Sequence, residues 1–105
     1  RDFTYINDVT KIMFELLKKN KKLKSNDIYN VCSNKPISLK NIIDIMKANN
    51  VKPKISKISL QKADIIKTHG SNKKLINLIG KLKFNSIDQS ILKTILWYKK
   101  YHNIK

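Results

Sequence analysis

The sequence predicts an α/β fold, with about four helices and three short strands mixed in one domain over residues 1–105. Apolar residues recur at helical spacing in four separate segments of the chain. Short runs rich in β-branched and aromatic residues stand between these segments and are typical of strands. The length of 105 residues and the 41% hydrophobic content suit one domain with its own core.

The first half of the chain predicts two strands, each followed by a helix. Residues 1–6 form the first expected strand, and Asn7 or Asp8 is expected to cap the helix after it. The apolar stripe of that helix consists of Val9, Ile12, Met13, Leu16 and Leu17. Residues 28–32 form the second expected strand, and Ser38 is a good N-cap for the second helix.

The second half predicts one strand and two helices. Residues 54–60 alternate apolar and polar side chains, which favours a third strand. Ser71 is expected to begin a short third helix, and Gly80 is expected to end it in a left-handed conformation. Ser86 opens a capping-box pattern for a fourth helix that extends to about His102. One face of this helix carries Ile87, Ile91, Ile95 and Tyr98.

The formal net charge is +16, from 23 basic and 7 acidic residues. Such a surface could release counterions from a nucleic acid, so a small basic nucleic-acid-binding module is one hypothesis. Only Arg1 is an arginine, however, and arginine is the residue that reads guanine and stacks on bases. Lys, Ile and Asn make up 51 of the 105 residues, and all three have A/T-rich codons. A solvated lysine-rich surface without a nucleic-acid partner is therefore the favoured interpretation.

The residue inventory predicts no catalytic, cofactor-binding or metal-binding site within the chain. Gly70 and Gly80 are its two glycines, too few for a phosphate-cradling or dinucleotide-binding loop. His69 and His102 have no nearby ligands and are expected at the surface or at a helix end. Cys32 lies in an expected strand and is predicted to be a small core residue. No apolar stretch approaches 18 residues, so membrane insertion is not expected.

Two short polar clusters suit the recognition of a nucleotide. Arg1 stands at the head of the first expected strand, and its planar guanidinium fork suits a phosphate group. Gln61 and Asp64 lie three residues apart in the loop that follows the third expected strand. A carboxylate can accept hydrogen bonds from ribose hydroxyls, and an amide can donate or accept. From the residue types alone, a structural role for each cluster remains the more common outcome.

Five segments in a fixed order match a known pattern. Residues 1–8 resemble an Arg-Asp-Phe-Thr-Tyr-Val-x-Asp signature, and residues 29–39 resemble a Tyr-Asn-Ile-Gly strand with its turn into a helix. Residues 61–64 resemble a Gln-Pro-Gly-Asp loop, residues 71–80 resemble a helix ending in Leu-Leu-Gly, and residues 97–98 match a Trp-Tyr pair. Together they resemble nucleotide-sugar epimerases and dehydratases, which are extended short-chain dehydrogenase/reductases, with the UDP-glucuronate 4-epimerase type nearest.

The resemblance implies that residues 1–105 are the C-terminal substrate-binding part of an extended Rossmann-type enzyme. Members of the family invert a sugar carbon, here C4 of a UDP-hexose or hexuronate, by transient oxidation with NAD. The resemblance places NAD in an N-terminal domain outside this chain, so the chain alone is expected to be inert. It further implies a cytoplasmic homodimer that serves polysaccharide biosynthesis, and a dehydratase of the same family is the alternative. Excision from such an enzyme is expected to expose an apolar face.

The resemblance also assigns substrate-binding residues by position. Arg1 matches the arginine that contacts UDP, while Gln61 and Asp64 match positions that hold the ribose and diphosphate region. Two residues inside the loop depart from the pattern, since Lys62 and Ala63 stand in place of Pro and Gly. The shape of this nucleotide loop is therefore an open question at the level of sequence.

Two further departures concern small residues. Cys32 stands where the family pattern has a Gly, and Gly70 stands where an Ala is common.

Overall fold

The fold is all-helical in the part of the chain that the computed structural model describes, residues 1–19, 23 and 26–104. Four helices lie there: α1 (Ile6–Lys18), α2 (Leu39–Ala48), α3 (Lys73–Ile79) and α4 (Ile87–Tyr101). These described residues contain no β-strand. The predicted α/β fold class is therefore wrong, and so is the expectation of a Rossmann-type short-chain dehydrogenase/reductase subdomain with three strands.

The three predicted strands fail because their pairing is missing. A strand requires a repeated ladder of backbone hydrogen bonds with a neighbour. Arg1 and Ile37 exchange two such bonds, of 2.8 and 2.9 Å, but the exchange does not continue along residues 1–5. Residues 28–32 form no ladder, and residues 54–60 are exposed along their whole length. Their β-branched composition favours extended backbone without supplying a partner.

The predicted N-cap of α1 is wrong, whereas the predicted N-cap of α2 is confirmed. Helix α1 begins earlier than predicted, after Tyr5, whose side chain makes no capping hydrogen bond. Asp8 lies inside the first turn and is buried, so the prediction that Asn7 or Asp8 caps the helix is wrong. Ser38 caps α2 as predicted, because its hydroxyl accepts a hydrogen bond from the backbone N–H of Asn41 at 3.1 Å.

Helix α3 begins later than predicted, whereas α4 begins where expected. Asn72, and not Ser71, precedes the first turn of α3, and its amide donates to the carbonyl of Cys32 at 2.9 Å. Gly80 follows α3 with a φ of 91°, in agreement with the prediction. Ser86 caps α4 by accepting a hydrogen bond from the backbone N–H of Gln89 at 3.3 Å.

Asparagine provides left-handed backbone at several turns. Positive φ angles of 66°, 57°, 60° and 53° occur at Asn26, Asn34, Asn50 and Asn103. At the end of α2, Asn50 allows the N–H of Val51 to reach back to the carbonyl of Met46 at 3.0 Å. This arrangement satisfies a carbonyl that the helix leaves free, a role more often associated with glycine.

The buried core is small for a chain of this length. Among the described residues, the buried apolar side chains are Ile12, Cys32 and Leu75. Helices α2 and α4 pack against each other. The radius of gyration is 16.8 Å, whereas a compact domain of this size has about 13 Å. Within the described residues, no helix is both long and apolar enough to cross a membrane.

Candidate functional site

The structure brings together two of the three residues that the sequence assigned to nucleotide binding. A guanidinium nitrogen of Arg1 lies 2.7 Å from Oδ1 of Asp64, across 63 positions of sequence. The two side chains are 39% and 49% exposed, so the ion pair is accessible to solvent and to a ligand. Guanidinium and carboxylate groups form strong charge-assisted hydrogen bonds of this length.

Gln61 belongs to the same turn as Asp64. The backbone N–H of Asp64 donates to the carbonyl of Gln61 at 2.9 Å, with Lys62 and Ala63 at the centre of the turn. A Pro-Gly sequence favours a type II turn, which needs a positive φ at the second central residue. Ala63 does not adopt a positive φ. The loop therefore still closes as a turn, but not as a type II turn.

The main chain of Arg1 is fixed by its own contacts and by those of Asp2. Arg1 exchanges backbone hydrogen bonds with Ile37, as described above. The next residue, Asp2, donates its backbone N–H to Oγ1 of Thr68 at 3.0 Å. The Asp2 carboxylate accepts hydrogen bonds from the Ser33 hydroxyl at 2.6 Å and from the Gly70 N–H at 3.2 Å. Asp2 thus ties the start of the chain to two loops that are distant in sequence.

The pKa of the Asp2 carboxyl lies below its ordinary value. Burial raises this pKa, but hydrogen bonds from Ser33 and from the backbone of Gly70, Lys35 and Asn34 together lower it by more. The carboxylate therefore stays ionised and acts as an acceptor for all of these donors. Because Asp2 directly follows Arg1, the same contacts restrain the position of the Arg1 main chain.

Cys32 and Gly70 are in direct contact. A Cβ added at Gly70 would lie 2.6 Å from the sulfur of Cys32, which is too close, and 3.1 Å from its Cβ, which is a tight contact. Cys32 is buried, as predicted for a small core residue, although it does not lie in a strand. Burial and the negative charge of Asp2 both raise the pKa of the Cys32 thiol, so the thiol is held in its unreactive protonated form.

A second buried carboxylate joins α1 to the segment before α4. Asp8 is only 4% exposed, and it accepts hydrogen bonds from the backbone N–H of Asn85 at 2.9 Å and from the Asn85 side chain at 2.5 Å. The sequence did not predict that the side chains of Asp2, Asp8 and Asn72 form hydrogen bonds with residues distant in the chain. Both aspartates stand in the signature over residues 1–8, which was the available signal.

A cavity of about 700 Å³ lies beside this part of the fold. Aromatic side chains of Phe3, Tyr5 and Phe84 contribute to its wall. None of the three sequence-assigned residues, Arg1, Gln61 and Asp64, lines it. The ion pair therefore lies on an open surface outside this cavity.

The described residues do not fit NAD. Gly70 packs against Cys32 and Gly80 ends α3, so neither glycine belongs to a loop that could cradle a diphosphate. His102 is the C-cap residue of α4, as expected for a helix-end histidine. His69 lies 2.7 Å from Oδ1 of Asn34, and the described part of the chain contains no group of three metal-ligating side chains.

Comparison with known proteins gives one relative. The chain is 28% identical over 99 residues to an uncharacterized protein of Methanocaldococcus jannaschii. The match covers 93% of this chain but 29% of the relative, so the chain spans less than a third of that protein's length. No protein-family model and no solved structure matches the chain.

Proposed function

We propose that this chain binds the nucleotide part of a UDP-sugar, as the C-terminal part of a longer nucleotide-sugar epimerase. The observation that carries the proposal is the contact between Arg1 and Asp64, with Gln61 in the same turn. These are the residues that the family resemblance assigns to UDP, and they come from opposite halves of the sequence. The relative that matches is more than three times as long as the matched segment, which is consistent with a longer protein.

The side chains at this turn have the chemistry that a nucleoside diphosphate requires. Arg1 offers five N–H donors in a planar fork, which can hold a diphosphate in a bidentate manner. Asp64 can accept hydrogen bonds from the two ribose hydroxyls. The Gln61 amide can donate to a phosphate oxygen or accept from a hydroxyl. All three side chains are exposed or partly exposed, so a ligand can reach them from solvent.

The contact between Cys32 and Gly70 also supports the family resemblance. The pattern has Gly at the first of these positions and commonly Ala at the second, whereas this chain has the larger residue first and the smaller one second. A Cβ at position 70 would enter the space that the Cys32 side chain fills, so the larger residue at position 32 is matched by a smaller one at position 70.

The proposed enzyme acts at C4 of a UDP-hexose or hexuronate as a cytoplasmic homodimer in polysaccharide biosynthesis. NAD and the groups that move the proton would come from residues outside this chain, since the described residues do not fit NAD. We therefore expect UDP binding without turnover from the chain alone. A dehydratase of the same family would use the same nucleotide contacts on a different sugar.

The test is a titration of the chain with UDP, in which binding is measured by calorimetry and by NMR chemical shifts. Arg1→Gln is expected to weaken UDP binding at least tenfold, because hydrogen bonds to charged groups contribute about 1.5–3 kcal/mol. Lys40→Gln is the matched control, since it removes one positive charge from an exposed position of α2. It is expected to change UDP affinity by less than about twofold. Equal losses in the two variants would contradict a specific site at Arg1.

The net charge of +16 favours one competing function, a nucleic-acid-binding module. Titration with duplex DNA at low and moderate salt separates it from the proposal. Counterion release makes DNA binding steeply salt-dependent, whereas a single arginine contact is much less so. Tight, salt-sensitive binding of DNA with no response to UDP would favour the nucleic-acid module and overturn the epimerase proposal.

A further inference from the structure

We propose that the solvent-facing side of α4 adsorbs to an anionic lipid bilayer, so that the chain lies on a membrane surface without spanning it. None of the residues proposed to hold UDP takes part, so the proposal goes beyond nucleotide binding. Residues four apart in a helix lie one above the other, and α4 presents two such rows side by side. The rows are Leu92, Leu96 and Lys100 in one and Lys93, Trp97 and Tyr101 in the other. These six residues are called the α4 patch.

The α4 patch is the outer side of its helix. All six of its residues are exposed, and the exposed fractions of Leu92 and Leu96 are 40% and 57% although both side chains are strongly apolar. Ile91 and Ile95 lie on the other side of the helix and are half-buried, so that side faces the rest of the fold. The patch lines neither the cavity of about 700 Å³ nor a smaller one beside α1. Its side chains are therefore open to a partner that covers the helix from outside.

The charges around the α4 patch are positive. Lys93 and Lys100 belong to the patch, and Lys99 adjoins them in the last turn of the helix. The ion pairs between described residues involve none of these three lysines. Asp88 is the acidic residue of α4, and it lies in the first turn, before the patch begins. Together with the formal net charge of +16, these lysines favour an anionic partner and oppose the approach of a second copy of the chain.

The composition of the α4 patch suits a lipid bilayer better than an acidic protein. Lysine is depleted at the centre of protein–protein interfaces, yet here two lysines stand among the apolar residues. Helices that lie on a bilayer combine lysine with tryptophan and leucine, and tryptophan and tyrosine prefer the level of the headgroups. The long stem of lysine lets its ammonium group reach lipid phosphates while the neighbouring apolar side chains enter the acyl region.

A single-stranded nucleic acid fits the α4 patch less well. Bases stack on exposed aromatic rings, but Trp97 and Tyr101 already stack on each other, with 5.4 Å between the ring centroids. Leu92 and Leu96 offer no ring for stacking, whereas both can enter hydrocarbon. A bilayer therefore uses all four apolar side chains of the patch at once.

The experiment follows the fluorescence of Trp97, which is the only tryptophan and belongs to the α4 patch. The chain is mixed at moderate salt with vesicles of phosphatidylcholine, either alone or with added phosphatidylglycerol. With phosphatidylglycerol, the emission of Trp97 is expected to shift to shorter wavelength and to become protected from quenching by acrylamide. Vesicles of phosphatidylcholine alone are expected to produce little change, because the lysines then meet no anionic headgroups.

Two variants of the patch are each compared with a matched control. Leu96→Gln is expected to weaken vesicle binding at least about tenfold, because the patch loses a large apolar side chain. Ile58→Gln removes an isoleucine that is 79% exposed but lies outside α4, and it is expected to change binding by less than about twofold. Lys100→Gln is expected to weaken binding about fivefold, whereas Lys40→Gln, at an exposed position of α2, is expected to do so by less than about twofold.

The proposal is overturned if vesicles with phosphatidylglycerol leave the emission of Trp97 unchanged, or if Leu96→Gln and Ile58→Gln weaken binding equally. A shift that follows protein concentration, with no further change when vesicles are added, would assign the patch to a second copy of the chain. Quenching of Trp97 by single-stranded DNA, with no response to vesicles, would assign it to a nucleic acid. The effect of Arg1→Gln on UDP binding is measured separately, so a failure of this proposal and a failure of the proposed function are distinguishable.

Discussion

At the scale of the residue, the neighbours Arg1 and Asp2 have different roles. Arg1 makes an accessible ion pair, whereas Asp2 holds two loops through its carboxylate and keeps a lowered pKa. The family pattern singled out Arg1 as a contact to UDP, which stays a prediction, and its ion pair with Asp64 was not predicted. The role of Asp2 was not predicted either, because its donors come from loops more than 30 residues away.

The contact between Cys32 and Gly70 gives a prediction at the same scale. Gly70→Ala is expected to lower the free energy of unfolding by about 1–3 kcal/mol, because the new Cβ collides with the Cys32 side chain. Denaturant unfolding followed by circular dichroism measures the change. The double variant Gly70→Ala with Cys32→Gly removes the collision and is expected to be less destabilised than the sum of its parts. Strict additivity would contradict the contact.

At the scale of the element, helices were predictable and strands were not. A helix is encoded by local features, and the caps at Ser38 and Ser86 and the break at Gly80 were found by spacing alone. A strand depends on a distant partner, which residues 28–32 and 54–60 lack. Likewise, residue types and a family pattern singled out Arg1 and Asp64 separately, but they did not predict the ion pair between them. Spacing could not have placed Arg1 beside Asp64.

The prediction at this scale concerns the buried carboxylate of Asp8 in helix α1. Asp8→Ala is expected to lower the free energy of unfolding by about 2–3 kcal/mol, because it leaves the donors of Asn85 without their charged acceptor. Asp88→Ala is the matched control, since Asp88 also lies in the first turn of a helix but is exposed. Asp88→Ala is expected to lower the free energy of unfolding by less than about 1 kcal/mol, which is the usual contribution of an exposed acidic side chain near a helix N-terminus. Equal destabilisation by the two substitutions would show that burial of Asp8 is unimportant.

At the scale of the whole molecule, large apolar side chains cover much of the surface. Trp97 and Tyr101 stack on each other at 5.4 Å on α4 while remaining 60% and 68% exposed. On α1, Met13 and Leu17 are also exposed, although they belong to the predicted apolar stripe. These exposed side chains occur together with a radius of gyration of 16.8 Å, above the value of about 13 Å for a compact domain of this size.

The isolated chain is therefore expected to bind an apolar fluorescent dye and to self-associate as its concentration rises. The single tryptophan, Trp97, reports on the same surface, because its fluorescence should be quenched readily by iodide. Tyr101→Gln is expected to reduce dye binding while leaving the fold intact, since the side chain is exposed. A chain that stays monomeric and binds no dye would contradict this expectation.

The left-handed asparagines affect how turns should be sought in sequences of this composition. Asn50 and Asn103 stand where helices commonly place glycine, in a chain that contains only two glycines. Asparagine codons are rich in A and T, whereas glycine codons begin with two G bases. A coding sequence biased toward A and T can therefore exchange one residue for the other and retain its sharp turns. A motif search that demands glycine at such positions will pass over proteins whose backbone meets the same requirement with asparagine.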